Sequence, residues 1–547
     1  MSPAPVIVVG AGMAGLVTAL LLAHRGVEVL VCERGEQPGG KLREVPVAGQ
    51  RIDAGPTVFT MRWVFDELLA EVGTHLEAEL GIRPLEILAR HAWDQGGRLD
   101  LFADLERTVA AIGDFAGAAA ARGYRDFCRE ARGVYRTLEQ PFIRAPRPTP
   151  VGLVGRVGPF GLKGLLKIRP FETLWQALGE HFPDPRLRQL FGRYATYCGS
   201  SPFLAPATLM LIAHVEQEGV WTVDGGMHQI AAALTRLAIA RGARFRFDTE
   251  VTEILTDRRR VSGVRLATGE ALAARAVVMN GDVAALRAGL LGAAASGLSP
   301  PPAESQRSLS AMTWNLVAPT EGFPLVRHSV FFSRDYPAEF DAIFRQGRLP
   351  AAPTVYVCAQ DRAGDVNGPG GAIPARRAGL ADGEPPPGEA REASGWATSG
   401  SSGEGIAIPG IGAGVAFSGP ERLLCLVNAP AIGDTHAFSP AEIESCEASA
   451  FSLLERCGLR VQRSPANTRV TTPTDFNRLF PATGGALYGQ ASHGWKASFN
   501  RPGTRTKLPG LYLAGGSVHP GAGVPMAALS GRLAAACVLS DLTSTSR

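Results

Sequence analysis

Gly10, Gly12 and Gly15, with Glu33 further on, are the first residues of this sequence whose types and spacing bear chemistry. Glycine at the first position permits a tight turn. At the second it lets the backbone approach a pyrophosphate, and at the third it lets a helix pack closely on the preceding strand. A helix opening at Met13 and Ala14 aims free N–H groups and a positive dipole end at that phosphate. A carboxylate such as Glu33 at the end of the next strand accepts hydrogen bonds from ribose hydroxyls. This is the chemistry of a dinucleotide site. A second glycine-rich stretch stands at the far end of the chain, Gly515-Gly516-Ser517-Val518-His519-Pro520-Gly521-Ala522-Gly523-Val524-Pro525-Met526. It follows an apolar strand and leads into a helix of small residues.

The turn after Glu33 separates two cofactor classes. Pro38-Gly39-Gly40-Lys41 comes directly after the acid, and Gly55-Pro56-Thr57 follows. Adjacent glycines and a cation supply close backbone approach and a counter-charge for a second pass along a pyrophosphate. NAD enzymes do not usually need that second contact, whereas an extended FAD does. As an alternative, Lys41 and Arg43 form a solvated basic turn.

The elements that must position these residues read as follows. A buried parallel strand is expected over 6–9, a helix over 13–25 carrying Leu16, Ala19, Leu20 and Ala23, and a second strand over 27–31. Downstream, 223–227 opens a helix with Ile230, Leu234 and Leu237 on one face, and 244–248 and 250–255 read as consecutive strands. Further strands are expected over 261–266 and 276–279, the last ended by Asn280-Gly281-Asp282. Two strands, 354–358 and 423–428, flank a stretch over 362–420 rich in Gly, Pro, Ala and Ser. Without apolar periodicity that stretch is expected to be a flexible insertion with no catalytic role.

At 547 residues the chain exceeds what one core usually serves, so two interleaved or sequential domains are expected. A net charge of +4 is too weak for phosphate tracking, so no nucleic-acid partner is expected. Eight scattered cysteines form no CxxC pair, which points to no metal site and to buried thiols in a reducing cytoplasm. The N-terminal apolar run is broken by the glycines of the nucleotide turn, so it reads as strand and helix rather than a signal peptide. No stretch reads as a clear membrane span.

These motifs resemble the flavin amine oxidase and phytoene desaturase superfamily. The resemblance is carried by 9–15, Glu33-Arg34 and Gly39-Gly40-Lys41, which match its FAD motif. Asp53-Ala54-Gly55-Pro56-Thr57-Val58 and 510–525 match its carotenoid branch more narrowly. The stretch from 59–65 through Phe142-Ile143-Arg144-Ala145-Pro146-Arg147-Pro148, with Leu487-Tyr488-Gly489-Gln490, is similar to the hydroxycarotenoid 3,4-desaturases of spheroidene and spirilloxanthin biosynthesis. The resemblance covers nearly the whole chain. It implies an α/β architecture: a Rossmann-like FAD-binding domain interleaved with a mixed α+β substrate domain and a helical, membrane-facing lid. The FAD-binding domain would comprise 1–75, 220–300 and 481–547, and the substrate domain 76–219 and 301–480.

The resemblance further implies an enzyme that desaturates a carotenoid taken from the membrane, holding FAD non-covalently and passing electrons to a quinone or oxygen. Gly10, Gly12, Met13, Ala14, Gly15, Glu33, Arg34, Gly39, Gly40, Lys41, Gly55, Pro56 and Thr57 would hold FAD. Val251 would lie against the adenine, and Gly515, Gly516, Gly523, Val524, Pro525 and Met526 against the flavin. His519 could be a proton acceptor, a donor that tunes the flavin, or a structural hydrogen-bonder. Arg144 and Arg147 could anchor a substrate hydroxyl or a quinone, or face the surface. The segment 150–169 carries Arg156, Lys163, Lys167 and Arg169 among apolar residues and no acid. It could lie in a bilayer interface on the inner face of the membrane, or pack as a lid with solvated cations. Phytoene desaturases and carotenoid isomerases are the near alternatives; an amine oxidase or a prenyl-protein escort are the remote ones.

Overall fold

The computed structural model describes residues 4–156, 168–296, 306–362 and 419–544. Most of the segment 150–169 and nearly all of 362–420 therefore lie outside the described residues.

Short runs of β-branched and other apolar residues assemble a five-stranded parallel sheet. Its order is Leu511–Leu513, Ala276–Met279, Val6–Val9, Val29–Cys32 and Arg244–Arg246. Val6 is in register with both Ala276 and Val29, and Val277 with Leu511. Strands from the start, middle and end of the chain thus lie side by side. Parallel sheets are covered on both faces. Here helices cover one, and the other packs on the strands Val251–Asp257 and Arg260–Leu266, with Ile7 and Val277 in one cluster with Ile254 and Val264. Met13–His24 buries every residue from Met13 to Ala23, because it is wedged between the sheet and the helices His228–Ala240 and Val524–Ser544. A helix apolar all round belongs in such a place.

Val524–Ser544 is itself long and apolar enough to cross a membrane, which the sequence reading did not anticipate. Its face Val524, Ala528, Leu529, Ala534, Ala535 and Val538 is spent on the same core. The contact is close. A side chain at Gly531 would put its Cβ 2.4 Å from the Ala14 carbonyl, and Thr18 Oγ1 bonds both the Ala14 and Gly531 carbonyls.

The expected strand pair over 244–255 splits between two sheets. Arg244–Arg246 joins the parallel sheet, while Val251–Asp257 pairs antiparallel with Arg260–Leu266, and that strand with Ala271–Ala273. The chain reverses between them at Asp248, whose φ is 49°.

A second sheet of seven strands stands beside the first. Its order is Thr468–Thr471, Ser310–Ala318, Glu421–Ala429, Val355–Ala359, His328–Phe332, Ile87–Trp93 and Arg98–Phe102. Val355–Ala359 and Glu421–Ala429 pair directly across the sequence that separates them, Val355 opposite Val427. One face is covered by Pro440–Arg456, whose Phe451 and Leu454 pack with Trp314 and Phe331. The long helix Leu105–Leu138, kinked at Gly117, builds a further apolar cluster with Phe127, Phe182 and Phe191. Gln360, just after Val355–Ala359, ties the seven-stranded sheet to the hairpin of Glu44–Val47 and Gln50–Asp53: its Oε1 accepts from Asp53 N at 3.0 Å and its Nε2 donates to Asp53 O at 2.9 Å.

Candidate flavin and substrate cavity

One cavity of about 850 Å³ runs from the C-terminal edge of the parallel sheet to the inner face of the seven-stranded sheet. The crevice outside the carboxyl ends of parallel strands is where such folds bind nucleotides. Both glycine-rich segments line it, and one side chain joins them. Asn280, at the end of Ala276–Met279, accepts from Gly15 N at 2.8 Å and donates through Nδ2 to Ala514 O at 3.2 Å. The room for that amide is why Gly15 lacks a side chain: a Cβ there would sit 2.6 Å from Asn280 Oδ1 and 2.2 Å from Gly10 O. The Gly39-Gly40 turn lies on the first turn, with Gly39 N donating to Ala11 O at 2.8 Å.

Glu33 stands at the rim with its carboxylate already fixed, Oε2 accepting from Ala11 N at 2.6 Å and Oε1 from Gly35 N at 2.8 Å. Lys41 reaches back to donate to Leu487 O at 2.7 Å and lies 3.9 Å from Asp282. Burial in the cavity lowers its pKa. Arg34 donates to Leu479 O at 2.7 Å.

Of the residues expected to touch the cofactor, Gly10, Gly12, Met13, Ala14, Glu33, Arg34, Gly39, Gly40, Lys41, Gly55, Pro56, Thr57 and Val251 line this cavity. So do Gly515, Gly516, Gly523, Val524, Pro525 and Met526. Gly15 sits one layer behind, against Asn280. The three residues expected near the chemistry lie elsewhere. His519 is 1% exposed, and its Nε2 lies 3.0 Å from Phe142 O and 2.9 Å from Ala145 O. Two carbonyl partners require Nε2–H to be the donor, and burial pushes the imidazole pKa down to about 4. The ring thus holds the turn bearing Phe142 and Ile143, which do line the cavity. Arg144 pairs with Glu67 and Glu139, each at 2.9 Å, and stacks on Trp63 at 3.6 Å. Arg147 donates to Phe499 O at 2.7 Å.

Sequence reasoning passed over three residues that shape the site. Asp53 is buried and accepts from Met227 N at 2.7 Å and His228 N at 3.2 Å, fixing the turn before the helix His228–Ala240. Arg501, 5% exposed, donates to Gly516 O at 2.8 Å, Tyr488 O at 3.1 Å and Gln490 O at 2.8 Å, drawing the flavin turn onto the 488–490 loop. Asn280 had been read as a strand terminator. An amide directly after a parallel strand was the available signal.

Away from the nucleotide end the walls change character. Toward the surface they are apolar, with Leu138, Phe142, Leu153, Ile168, Phe171, Ile212 and Val215. Toward the seven-stranded sheet they carry hydroxyls, with Thr57, Tyr197, Thr313, Tyr336, Thr354 and Tyr356, and the cation Arg193. Tyr356 OH bonds Thr57 Oγ1 and His328 Nδ1, both at 2.7 Å. Glu216, behind this wall, accepts from Tyr194 OH at 2.8 Å and Tyr197 OH at 2.5 Å, and burial raises its pKa. Among the described residues the carboxylates that line the cavity, Glu33, Glu250 and Asp282, belong to the nucleotide half, and no histidine lines it. The substrate half offers shape and hydroxyls rather than an acid–base pair.

A profile of the flavin containing amine oxidoreductase family matches residues 13–317 and 460–539. A hydroxyneurosporene desaturase of Rubrivivax gelatinosus is 51% identical over 543 residues, covering 99% of this chain and 94% of that protein. A second, from Cereibacter sphaeroides, is 41% identical over 548 residues, covering 99% of each. Among solved structures, a putrescine oxidase triple mutant superposes with a TM-score of 0.57 at 13% identity, over 98% of this chain and 99% of that one, a likeness of fold.

Proposed function

The chain belongs to the flavin containing amine oxidoreductase family, among its carotenoid desaturases, and from that premise we propose an FAD-dependent 3,4-desaturase of acyclic 1-hydroxycarotenoids. It is an oxidoreductase acting on CH–CH groups. The observation that carries the substrate class is the cavity itself. It joins a nucleotide crevice to an apolar passage with no carboxylate beside it, a passage unsuited to an amine cation and suited to a polyene.

FAD fits the donors present. The N-terminus of Met13–His24 and the backbone of Gly10 to Ala14 take the pyrophosphate, Glu33 the ribose, and Gly39, Gly40 and Lys41 the second pass. Val251 flanks the adenine, and Thr57, Gly515, Gly516 and the segment Gly523 to Met526 the ring system. Binding is non-covalent, since Gly515-Gly516-Ser517 supplies no thiol. The flavin supplies a hydride acceptor. The protein's part is positioning: the passage sets one C–C bond against the ring, and the walls keep water from the nascent charge. Hydride loss beside a polyene leaves a delocalised cation on the substrate whose adjacent C–H is strongly acidic. A weak base or water suffices to take that proton. Electrons leave for a quinone or oxygen. The FAD-binding domain comprises 1–75, 220–300 and 481–547, and the rest forms the substrate domain.

Phe171 at the apolar end of the passage is 80% exposed and Val151, beside it, 83%, and we infer that this end is the mouth and rests on the inner face of the membrane that dissolves the substrate. The test is direct. Purified protein should carry stoichiometric FAD released by acid. Liposomes containing a 1-hydroxycarotenoid should show a red-shifted absorbance as the polyene lengthens. Turnover of phytoene instead would move the assignment to the earlier desaturation.

A further inference from the structure

Three hydroxyls in the substrate half of the cavity make no well-formed hydrogen bond, although one of them, on Thr354, lies against the Glu339 carboxylate behind the wall. They are Thr313 Oγ1, Thr354 Oγ1 and Tyr336 OH, on residues 2%, 6% and 3% exposed, and all three residues line the cavity. A buried hydroxyl left unpaired costs about 1–3 kcal/mol, so three around one void call for a common explanation. The packing offers Thr354 only the Glu339 carboxylate, and offers Thr313 and Tyr336 nothing. Their neighbours on the same wall are fully engaged: Tyr356 OH holds Thr57 and His328, and Asn428 Nδ2 donates to Glu339 at 3.0 Å.

The sheet register places these groups. Thr313, Leu426 and Tyr356 stand opposite one another on adjacent strands and face the cavity together. With strands about 4.8 Å apart, Thr313 lies about 10 Å from Tyr356, and Thr354, two residues along, about 7 Å away. Tyr356 itself touches Thr57, in the segment expected under the flavin. In a 1-hydroxycarotenoid the oxygen on C1 lies within about 5 Å of the C3–C4 bond, by ordinary bond lengths. The groups that read such a hydroxyl must therefore stand close beside the reacting bond, not at the far end of a long tunnel.

We propose that Thr354, Thr313 and Tyr336 form a subsite that receives the hydroxyl-bearing end of the substrate and selects it over the same polyene without oxygen. The proposal rests on the desaturase reading above. The chain end enters first, the hydroxyl bonds this trio, and the remaining polyene trails out along the apolar wall toward Phe142 and Phe171.

The experiment compares the FAD-loaded enzyme and its variants on a pair of acyclic carotenoids of equal length, one 1-hydroxylated and one not. Both kcat/KM and Kd by carotenoid absorbance are measured. Wild type should favour the hydroxylated member, and loss of that preference in wild type would remove the parent reading and the subsite together. In Thr354→Val and Tyr336→Phe the preference should fall about tenfold, with the oxygen-free polyene handled as before and flavin content unchanged. Thr354→Ser should restore it. A wild-type preference that survives within twofold in Thr354→Val, Thr313→Val and Tyr336→Phe overturns the subsite while leaving the desaturase reading intact. An equal loss on both polyenes would also overturn it.

Discussion

At the scale of single residues, His519 shows how position along the chain misleads about chemistry. Its turn borders the cavity, yet the ring points away and donates to Phe142 O and Ala145 O. With its pKa lowered by burial to about 4, the ring is held neutral at pH 7. His519→Ala should therefore cost about 1–3 kcal/mol of stability through two orphaned carbonyls, and lower kcat/KM by loosening Phe142. His519→Gln, which keeps an N–H donor, should recover most of both. A large fall in kcat in the Gln variant, with melting unchanged, would make the ring catalytic instead. The sign with pH follows from the lowered pKa. The unfolded chain binds this proton below about 6.5 and the folded chain only near 4, so the contribution is complete above 6.5 and lost as pH falls through 4. Melting curves of His519→Gln should lose stability less steeply than wild type on acidification, by up to about 1.4 kcal/mol per pH unit.

At the scale of elements, the nucleotide unit was legible because its requirements are local. Gly10, Gly12, Gly15 and Glu33 are spaced by one strand, one turn and one helix, and the expected helix over 13–25 is observed as Met13–His24. Asn280, Arg501 and Asp53 were not legible as site residues. Asp53 opens the Asp53-Ala54-Gly55-Pro56-Thr57 motif and Asn280 ends an expected strand, but each of the three acts on a partner brought close only by the fold, which spacing along the chain does not show. The split of 244–255 between two sheets was hidden for the same reason, since both halves have ordinary strand composition. Two substitutions test these long-range joints. Asn280→Ala strands Gly15 N and Ala514 O, so flavin retention through gel filtration should fall sharply at a stability cost of about 1–3 kcal/mol. Gly531→Leu drives a side chain into Ala14 O and should part the two helices, costing about 1–3 kcal/mol or more, with flavin lost. Full flavin content in either variant would show that the two glycine-rich segments do not depend on these contacts.

At the scale of the whole molecule, the cavity has a polar half and an apolar half, and beside the cavity-lining Leu153 and Phe171 stand the exposed side chains Val151 and Val154, with Phe171 itself exposed. The cations expected to meet lipid phosphates near this mouth are partly committed elsewhere. Arg156 donates to Pro146 O at 2.8 Å, and Arg169 bonds Glu172 at 2.6 Å and also pairs with Glu180. Lys163 and Lys167 lie outside the described residues. In the proposed membrane contact, apolar burial rather than charge is therefore the stronger term among the described residues. Sinking a valine or phenylalanine into hydrocarbon gains about 1.5–3 kcal/mol, which is tenfold or more in partitioning for each. Val151→Asp and Val154→Asp should each weaken liposome binding at least about tenfold. Both positions are exposed, so melting and flavin content should hold. Turnover of a carotenoid presented in liposomes should fall with binding, while turnover of the same carotenoid in detergent should not. Equal losses in liposome and detergent would place the defect inside the cavity and leave the mouth without a membrane role.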